Sequence, residues 1–170
     1  MKIYSIIVTY NGEYWIEGCI LSLYAYNLEN HKIIIIDNHS SDSTNTIINE
    51  KFPEVTHIQS EVNLGFGKAN NIGLSIAKRE NADYVFLLNQ DAWILDNGLK
   101  KLIEISKTQE GFGILAPMQT TKEGKLDLNF SHYVHPKKTP HLLEDIEQKK
   151  LKLVYPTEFA NAGAWLITQE

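Results

Sequence analysis

The residues with the clearest chemical capacity are Asn89-Gln90-Asp91, which follow the continuous apolar run Tyr84 to Leu88. A run of that length, bounded by polar residues, reads as a strand buried on both faces. A carboxylate at the point where such a strand surfaces stands at the carboxyl edge of a sheet, where open α/β folds bind ligands. Asp91 is a hard oxygen ligand of the kind that suits Mg²⁺ or Mn²⁺. Two further strand ends carry hydroxyls, amides and carboxylates: Thr9-Tyr10-Asn11, and the stretch from Asp37 to Thr44. Residues Asn63 to Asn71 add glycines and amides where a helix opens. No GxxxxGK[ST] occurs, and Gly65-Phe66-Gly67 is followed by Asn70 where a dinucleotide fingerprint needs its third glycine, so P-loop and NAD chemistry are disfavoured.

The elements that must position these groups alternate along the chain. Ile3 to Val8 reads as a strand, Tyr14 to Tyr26 as a helix with Ile16, Ile20, Leu21 and Leu23 on one broad face, and Lys32 to Ile36 as a second strand. Ser41 or Asp42 caps a helix that runs to Phe52, before Pro53. Val55 to Gln59 is a weaker strand, and a helix from the Asn63 to Asn71 stretch reaches Arg79. After the strand that starts at Tyr84 come a helix over Leu95 to Lys107 and a strand over Gly113 to Ala116. This order predicts an α/β fold: a mostly parallel, doubly wound sheet with helices on both faces and right-handed crossovers. The three strand ends then open onto one crevice. Beyond Pro117 the pattern changes. A turn is expected over Thr120 to Gly124, a strand over Lys125 to Tyr133, and an exposed excursion over His135 to Lys150 with a short helix from Leu142. Strands over Leu151 to Tyr155 and Phe159 to Thr168 follow.

Length and charge narrow the function classes. A length of 170 residues is expected to make one ordinary domain, and the net charge of -5 argues against a general nucleic-acid surface. Any phosphate recognition must be local. Cys19 is the lone cysteine, which excludes an internal disulfide and is compatible with a reducing compartment. No apolar run approaches the roughly 20 residues of a bilayer-spanning helix, and the N-terminus shows no signal-peptide pattern.

Five segments together, IIVTYN at 6–11, IIDNHSSDST at 35–44, NLGFGKANNIG at 63–73, LLNQDA at 87–92 and FANAGAWLI at 159–167, resemble in order and spacing the inverting GT-A glycosyltransferases of family 2, above all their rhamnosyltransferase-like branch. The resemblance covers nearly the whole chain. It implies a GT-A fold, with residues 1–117 as the nucleotide-binding half and 118–170 as the incomplete start of the acceptor-side half. The implied donor is a UDP- or dTDP-sugar, the cofactor Mg²⁺ or Mn²⁺, and the acceptor a glycan or lipid-linked saccharide in polysaccharide assembly. No nucleic acid is a partner. The implied location is the cytoplasm, with peripheral association at the inner face of the membrane.

By the same resemblance Thr9, Tyr10 and Asn11 line the nucleoside pocket, and Asp37 accepts the N3–H of the base, a task that suits an acceptor-only group. Asn63, Gly65, Lys68 and Asn71, with Asn70, lie against the nucleotide. Asn89-Gln90-Asp91 stands at the DXD motif with Asp91 as the metal ligand. Asn89 replaces an aspartate there, which weakens metal affinity. Trp165 reads as core or rim packing, with a sugar-stacking place near the acceptor side as the alternative. Family members continue past the stretch resembling Asn161 to Glu170, and the catalytic base is expected beyond Glu170. The chain is therefore expected to be the donor-binding part of a longer enzyme. Alternatives stay open: a non-catalytic nucleotide-sugar-binding fragment, or a receiver-type signalling domain, which lacks its acidic pair at Thr9-Tyr10-Asn11. Asp42 reads as a helix cap, Trp93 as packing, and His132, His135 and His141 as loop residues whose spacing fits no standard metal set.

Overall fold

A computed structural model describes residues 1–134 and 137–168. It divides into two compact units, one of Met1–Leu115 with the chain from Ala162 onward, the other Ala116–Asn161. In the first, strands β1 (Ile3–Thr9), β2 (His31–Asp37), β3 (Thr56–Gln59), β4 (Tyr84–Asn89) and β5 (Ala164–Thr168) form one sheet in the order β3-β2-β1-β4-β5. β1 to β4 run parallel and β5 is antiparallel to β4. The chain winds outward from β1 to β3, then crosses back to β4, so winding reverses between β1 and β4.

Strand alternation divides the core. Ile3, Ile7, Ile33, Ile35, Phe86 and Leu88 point to one face, beneath helices α1 (Ile16–Tyr24), α2 (Thr44–Lys51) and α4 (Gly98–Ser106). Tyr4, Ile6, Ile34, Ile36, Val85 and Leu87 point to the other, beneath α3 (Phe66–Arg79). α1 buries Ile16, Cys19, Ile20 and Leu23, the spacing of one helical stripe. α3 instead buries small residues, Ala69, Gly73 and Ala77, four apart. A Cβ on Gly73 would stand 2.6 Å from Ile6 Cγ2, so the glycine sets how closely α3 approaches β1.

The mostly parallel doubly wound sheet agrees with expectation; its borders do not all. α1 starts at Ile16 rather than Tyr14, since the Trp15 and Ile16 amides already bond Gly12 O in a turn. α4 spans Gly98–Ser106 because Asp96 and Asn97 adopt left-handed backbone that the first helical turn cannot contain. The strand expected over Gly113 to Ala116 reduces to one antiparallel bridge, Leu115 to Leu166. The last strand shortens to Ala164–Thr168.

In the second unit the strand expected over Lys125 to Tyr133 is a helix, α5 (Leu128–Tyr133), started by Asp127, whose Oδ1 accepts from Phe130 N at 2.9 Å. The turn around Thr121 to Lys125 forms, with Gly124 at φ 74° and a bridge between Thr120 and Leu126. The short helix at Leu142 is α6 (Leu142–Glu147). Phe130, Val134 and Leu142 make this unit's own core. Leu151 to Tyr155 forms no strand; Lys152 N instead donates to the Tyr155 hydroxyl at 2.8 Å. The expected excursion from His135 begins outside the described residues.

Candidate functional site

The crevice at the carboxyl ends of β1 and β4 is where winding reverses, the position at which open α/β sheets bind ligands. Gln90, just past β4, ties the two ends together. Its Oε1 accepts from the Thr9 hydroxyl at 2.6 Å and from Tyr10 N at 3.0 Å, while its Nε2 donates to Tyr10 O at 3.2 Å. Gly12 leaves room for that amide: a Cβ there would overlap Gln90 Oε1 and stand 2.6 Å from Thr9 Oγ1.

The loop after β2 is held from below by Asp37. This carboxylate is fully buried and accepts from the Ser40 hydroxyl, from Ser40 N at 3.1 Å and from Asn45 Nδ2 at 3.1 Å. The loop is also bound to the turn after β1. Asn11 N donates to Ser40 Oγ at 2.9 Å, its Oδ1 accepts from Ser41 N at 2.9 Å, and Gly12 N donates to Thr44 Oγ1 at 2.8 Å. Asp42 accepts from Glu13 N at 3.1 Å and Thr44 N at 3.0 Å. Burial would raise the Asp42 carboxyl, but hydrogen bonds from the Thr44 hydroxyl and these amides outweigh it and hold the carboxyl below its usual range. On β3, burial lowers the His57 pKa against the pull of Asp37, so that imidazole is neutral.

Above this frame lies an open cleft of about 340 Å³, lined by Val8, Tyr10, Asn38, Asn63, Gly65, Phe66, Asn89, Gln90 and Asp91. One wall is a latch between two loops: Asn38 Nδ2 donates to Asn63 Oδ1 at 2.9 Å, and Leu64 N donates to Asn38 Oδ1 at 2.7 Å. Asn63 Oδ1 also accepts from Gly65 N at 2.9 Å. Gly65 precedes α3 with φ 76° and ψ 164°, a backbone open only to glycine, and no side chain caps the helix it begins. Amides at the start of α3 are thus available to an anion beside the cleft. Tyr10 and Phe66 present rings to the cleft, 48% and 45% exposed. Asp91 is the only carboxylate among the lining residues. Its charge reaches the core, where burial first and Asp91 second push the Cys19 thiol up to about 12.

Of the residues singled out by sequence, Tyr10, Asn63, Gly65, Asn89, Gln90 and Asp91 meet on the cleft. Thr9 and Asn11 stand behind it and hold Gln90 and the Ser40-Ser41 turn. Asp37 lies beneath the cleft rather than on it, because it shares strand parity with buried Ile33 and Ile35. Lys68 and Asn71 are exposed on α3 away from the lining. Trp165, opposite Leu87 in β5, packs on the core under α3 and does not line the cleft. Sequence reasoning missed Val8, Asn38 and Phe66. Asn38, buried like Ile36 and Asp37 before it, carried no sequence signal that set it apart. An aromatic ring between two glycines could have marked Phe66.

A divalent ion fits this donor set in one way. Among the described residues no three His, Cys, Asp or Glu side chains converge to hold a metal. One exposed carboxylate beside a polar cleft suits an ion that takes most of its ligands from water and a phosphate-bearing ligand.

Comparison with known proteins adds the following. The profile of the family described as "Glycosyl transferase family 2" matches residues 5–161. Among curated proteins, the poly(ribitol-phosphate) beta-glucosyltransferase of Bacillus spizizenii is 28% identical over 99% of this chain and 29% of its own length. The GalNAc(5)-diNAcBac-PP-undecaprenol beta-1,3-glucosyltransferase of Campylobacter jejuni is 28% identical over 76% of this chain and 42% of its own. Among solved structures, S. aureus TarS 1–349 superposes with a TM-score of 0.68 at 19% identity, covering 99% of this chain and 47% of that one. TarS 1–349 with UDP-GlcNAc bound gives 0.61 at 23% identity, covering 75% of this chain and 37% of that one. The chain therefore spans under half the length of these relatives.

Proposed function

The chain belongs to glycosyltransferase family 2 and has the GT-A fold, and from that premise we propose that its cleft binds a UDP- or dTDP-sugar with Mg²⁺ or Mn²⁺ for inverting transfer to a glycan or lipid-linked saccharide. Transfer by the whole protein is part of this proposal, as is a division between a donor-binding part, residues 1–117, and the start of an acceptor side, residues 118–170. Membership in that family replaces the receiver-type alternative. The observation that carries the proposal is the convergence of Tyr10, Asn63, Gly65, Asn89 and Asp91 on one cleft at the switch point. The UDP-GlcNAc bound to TarS supports a uridine donor, and the undecaprenol-linked substrate in the Campylobacter enzyme's name supports a lipid-borne acceptor.

The side chains divide into those that touch the donor and those that position others. The rings of Tyr10 and Phe66 stack on the nucleoside, and Asn38, locked by Asn63 and Leu64 N, meets the edge of the base. The diphosphate lies at the uncapped start of α3, where free amides and the helix dipole favour negative charge. Lys68 and Asn71, exposed on the first turns of α3, act on the phosphates from outside the cleft, while Trp165 packs on the core under α3. Asp91 and Asn89 would hold the metal together with the donor, and the chemistry it would supply there is neutralisation of charge on the leaving nucleoside diphosphate. Asp37, Thr9, Gln90 and Asn11 act through the loops they fix. No cleft residue is assigned as the general base.

Calorimetric titration with UDP and dTDP, with and without Mn²⁺, tests this on the intact chain and on Asp91→Ala. Mn²⁺ should strengthen binding of one nucleotide, and Asp91→Ala should remove that gain, about tenfold or more. Binding indifferent to both metal and Asp91 would sink the metal assignment. Absence of binding at millimolar nucleotide would sink the donor site.

A further inference from the structure

We propose that the segment Lys149–Leu153 docks the protein on an anionic lipid bilayer, an inference that rests on the reading of a membrane-borne acceptor. Residues 148–153, Gln-Lys-Lys-Leu-Lys-Leu, are exposed without interruption, with Leu151 at 50% and Leu153 at 72%. They carry three positive charges in a chain whose net charge is -5. The segment is held in shape at its base. Lys149 N donates to Ile146 O at 3.1 Å and Lys150 N to Asp145 O at 2.8 Å, closing α6. The Tyr155 hydroxyl accepts from Lys152 N at 2.8 Å and donates to Asp145 at 2.7 Å. The leucines are thus presented on a formed loop, and ordering them on contact costs little.

Charge selects the occupant. The acidic groups nearby belong to α6: Asp145 stands 4.0 Å from Lys152 Nζ, Glu144 lies 3.4 Å from His141, and Glu147 is exposed. Lys149 and Lys150 form no ion pair among the described residues. Exposed leucines next to unpaired lysines are unlike the core of a protein–protein interface, which is depleted in lysine. They match an anionic bilayer, where leucine enters the headgroup boundary and each lysine gains from the surface potential. Among the described residues no helix is long and apolar enough to cross a membrane.

Flotation of the intact chain with phosphatidylcholine vesicles, with and without about one-third phosphatidylglycerol, tests this. Wild type should float with the anionic vesicles alone and lose binding in high salt. K149Q/K150Q should weaken partitioning about 25-fold, near fivefold per lysine, and L151S/L153S should weaken it as well. Far-UV dichroism and the thermal midpoint should match wild type for both variants. Equal flotation with neutral vesicles, no flotation, or wild-type flotation by K149Q/K150Q would overturn the proposal. So would a change in oligomeric state on L151S/L153S, which would make the segment a protein interface. UDP titration of the same samples separates the two readings: nucleotide binding without flotation defeats only the docking surface, and flotation without nucleotide binding defeats only the donor site.

Discussion

Asp37 and Asn38 are adjacent in sequence and opposite in task. The fully buried Asp37 carboxylate satisfies the Ser40 amide and hydroxyl and the Asn45 amide, whereas the next side chain lines the cleft. Asp37→Ala leaves those half-buried donors without their acceptor, and the expected cost is about 3 kcal/mol of unfolding free energy in urea melts, with nucleotide binding lost through loop disorder. Asn38, 4% exposed, also accepts from Leu64 N, so Asn38→Ala should cost about 1–2 kcal/mol in the melt, less than Asp37→Ala because no carboxylate is lost, while weakening nucleotide binding by opening the latch to Asn63. Equal stability loss in both variants would contradict this split. The strand ends that border the cleft were legible in sequence, and Asn89 and Asp91 line it at the end of the apolar run. Which of two neighbouring polar residues faces a ligand depends on strand parity and on the loop that follows. Lys68 and Asn71 lie off the cleft lining, since a resemblance names a segment but not the face its side chains take.

At the scale of elements, the parallel strands were readable because Ile33 to Ile36 and Val85 to Leu88 are apolar at every position, as a strand covered on both faces requires. The direction of β5 was not, since an apolar run carries no sign of its sense. α5 was misread for a related reason: six residues hold too little periodicity, and its start is decided by one Asp127 hydrogen bond. Packing between elements yields a sharper expectation. Gly73→Ala puts a methyl carbon 2.6 Å from Ile6 Cγ2, so either α3 or the buried Ile6 side chain must shift. A loss of about 1–3 kcal/mol in urea melts is expected, with weaker nucleotide binding because α3 carries Gly65 and Phe66 to the cleft. A neutral substitution would mean that α3 is free to slide.

For the molecule as a whole, acid weakens the fold through named groups. Burial lowers the His31 pKa from 6.5 to about 4, with its ring on the Ser5 hydroxyl at 2.8 Å. The unfolded chain takes up this proton first, so the stability tied to His31 is complete above pH 6.5 and is lost as pH falls towards about 4. The slope should not exceed about 1.4 kcal/mol per pH unit. Asp42, held low, adds a further loss at more acidic pH, as its folded-state pKa is approached from above. Thermal midpoints of wild type and His31→Gln between pH 7 and 4 should converge as the pH falls if this is right. Parallel curves would remove His31 from the account.

Cys19 gives the crevice a clock. Its thiol is buried, held protonated, and directed at Asn89 O at 3.5 Å, the last residue of β4. A thiol reagent can reach it only when α1 lifts from the end of that strand, so the modification rate counts openings of the frame under the cleft. A nucleotide that bridges Tyr10 and Asp91 clamps the same strand ends, and the thiol should then react more slowly in proportion to occupancy. One unlabelled cysteine thereby reports, without any engineered probe, how often the sheet edge breathes and what quiets it.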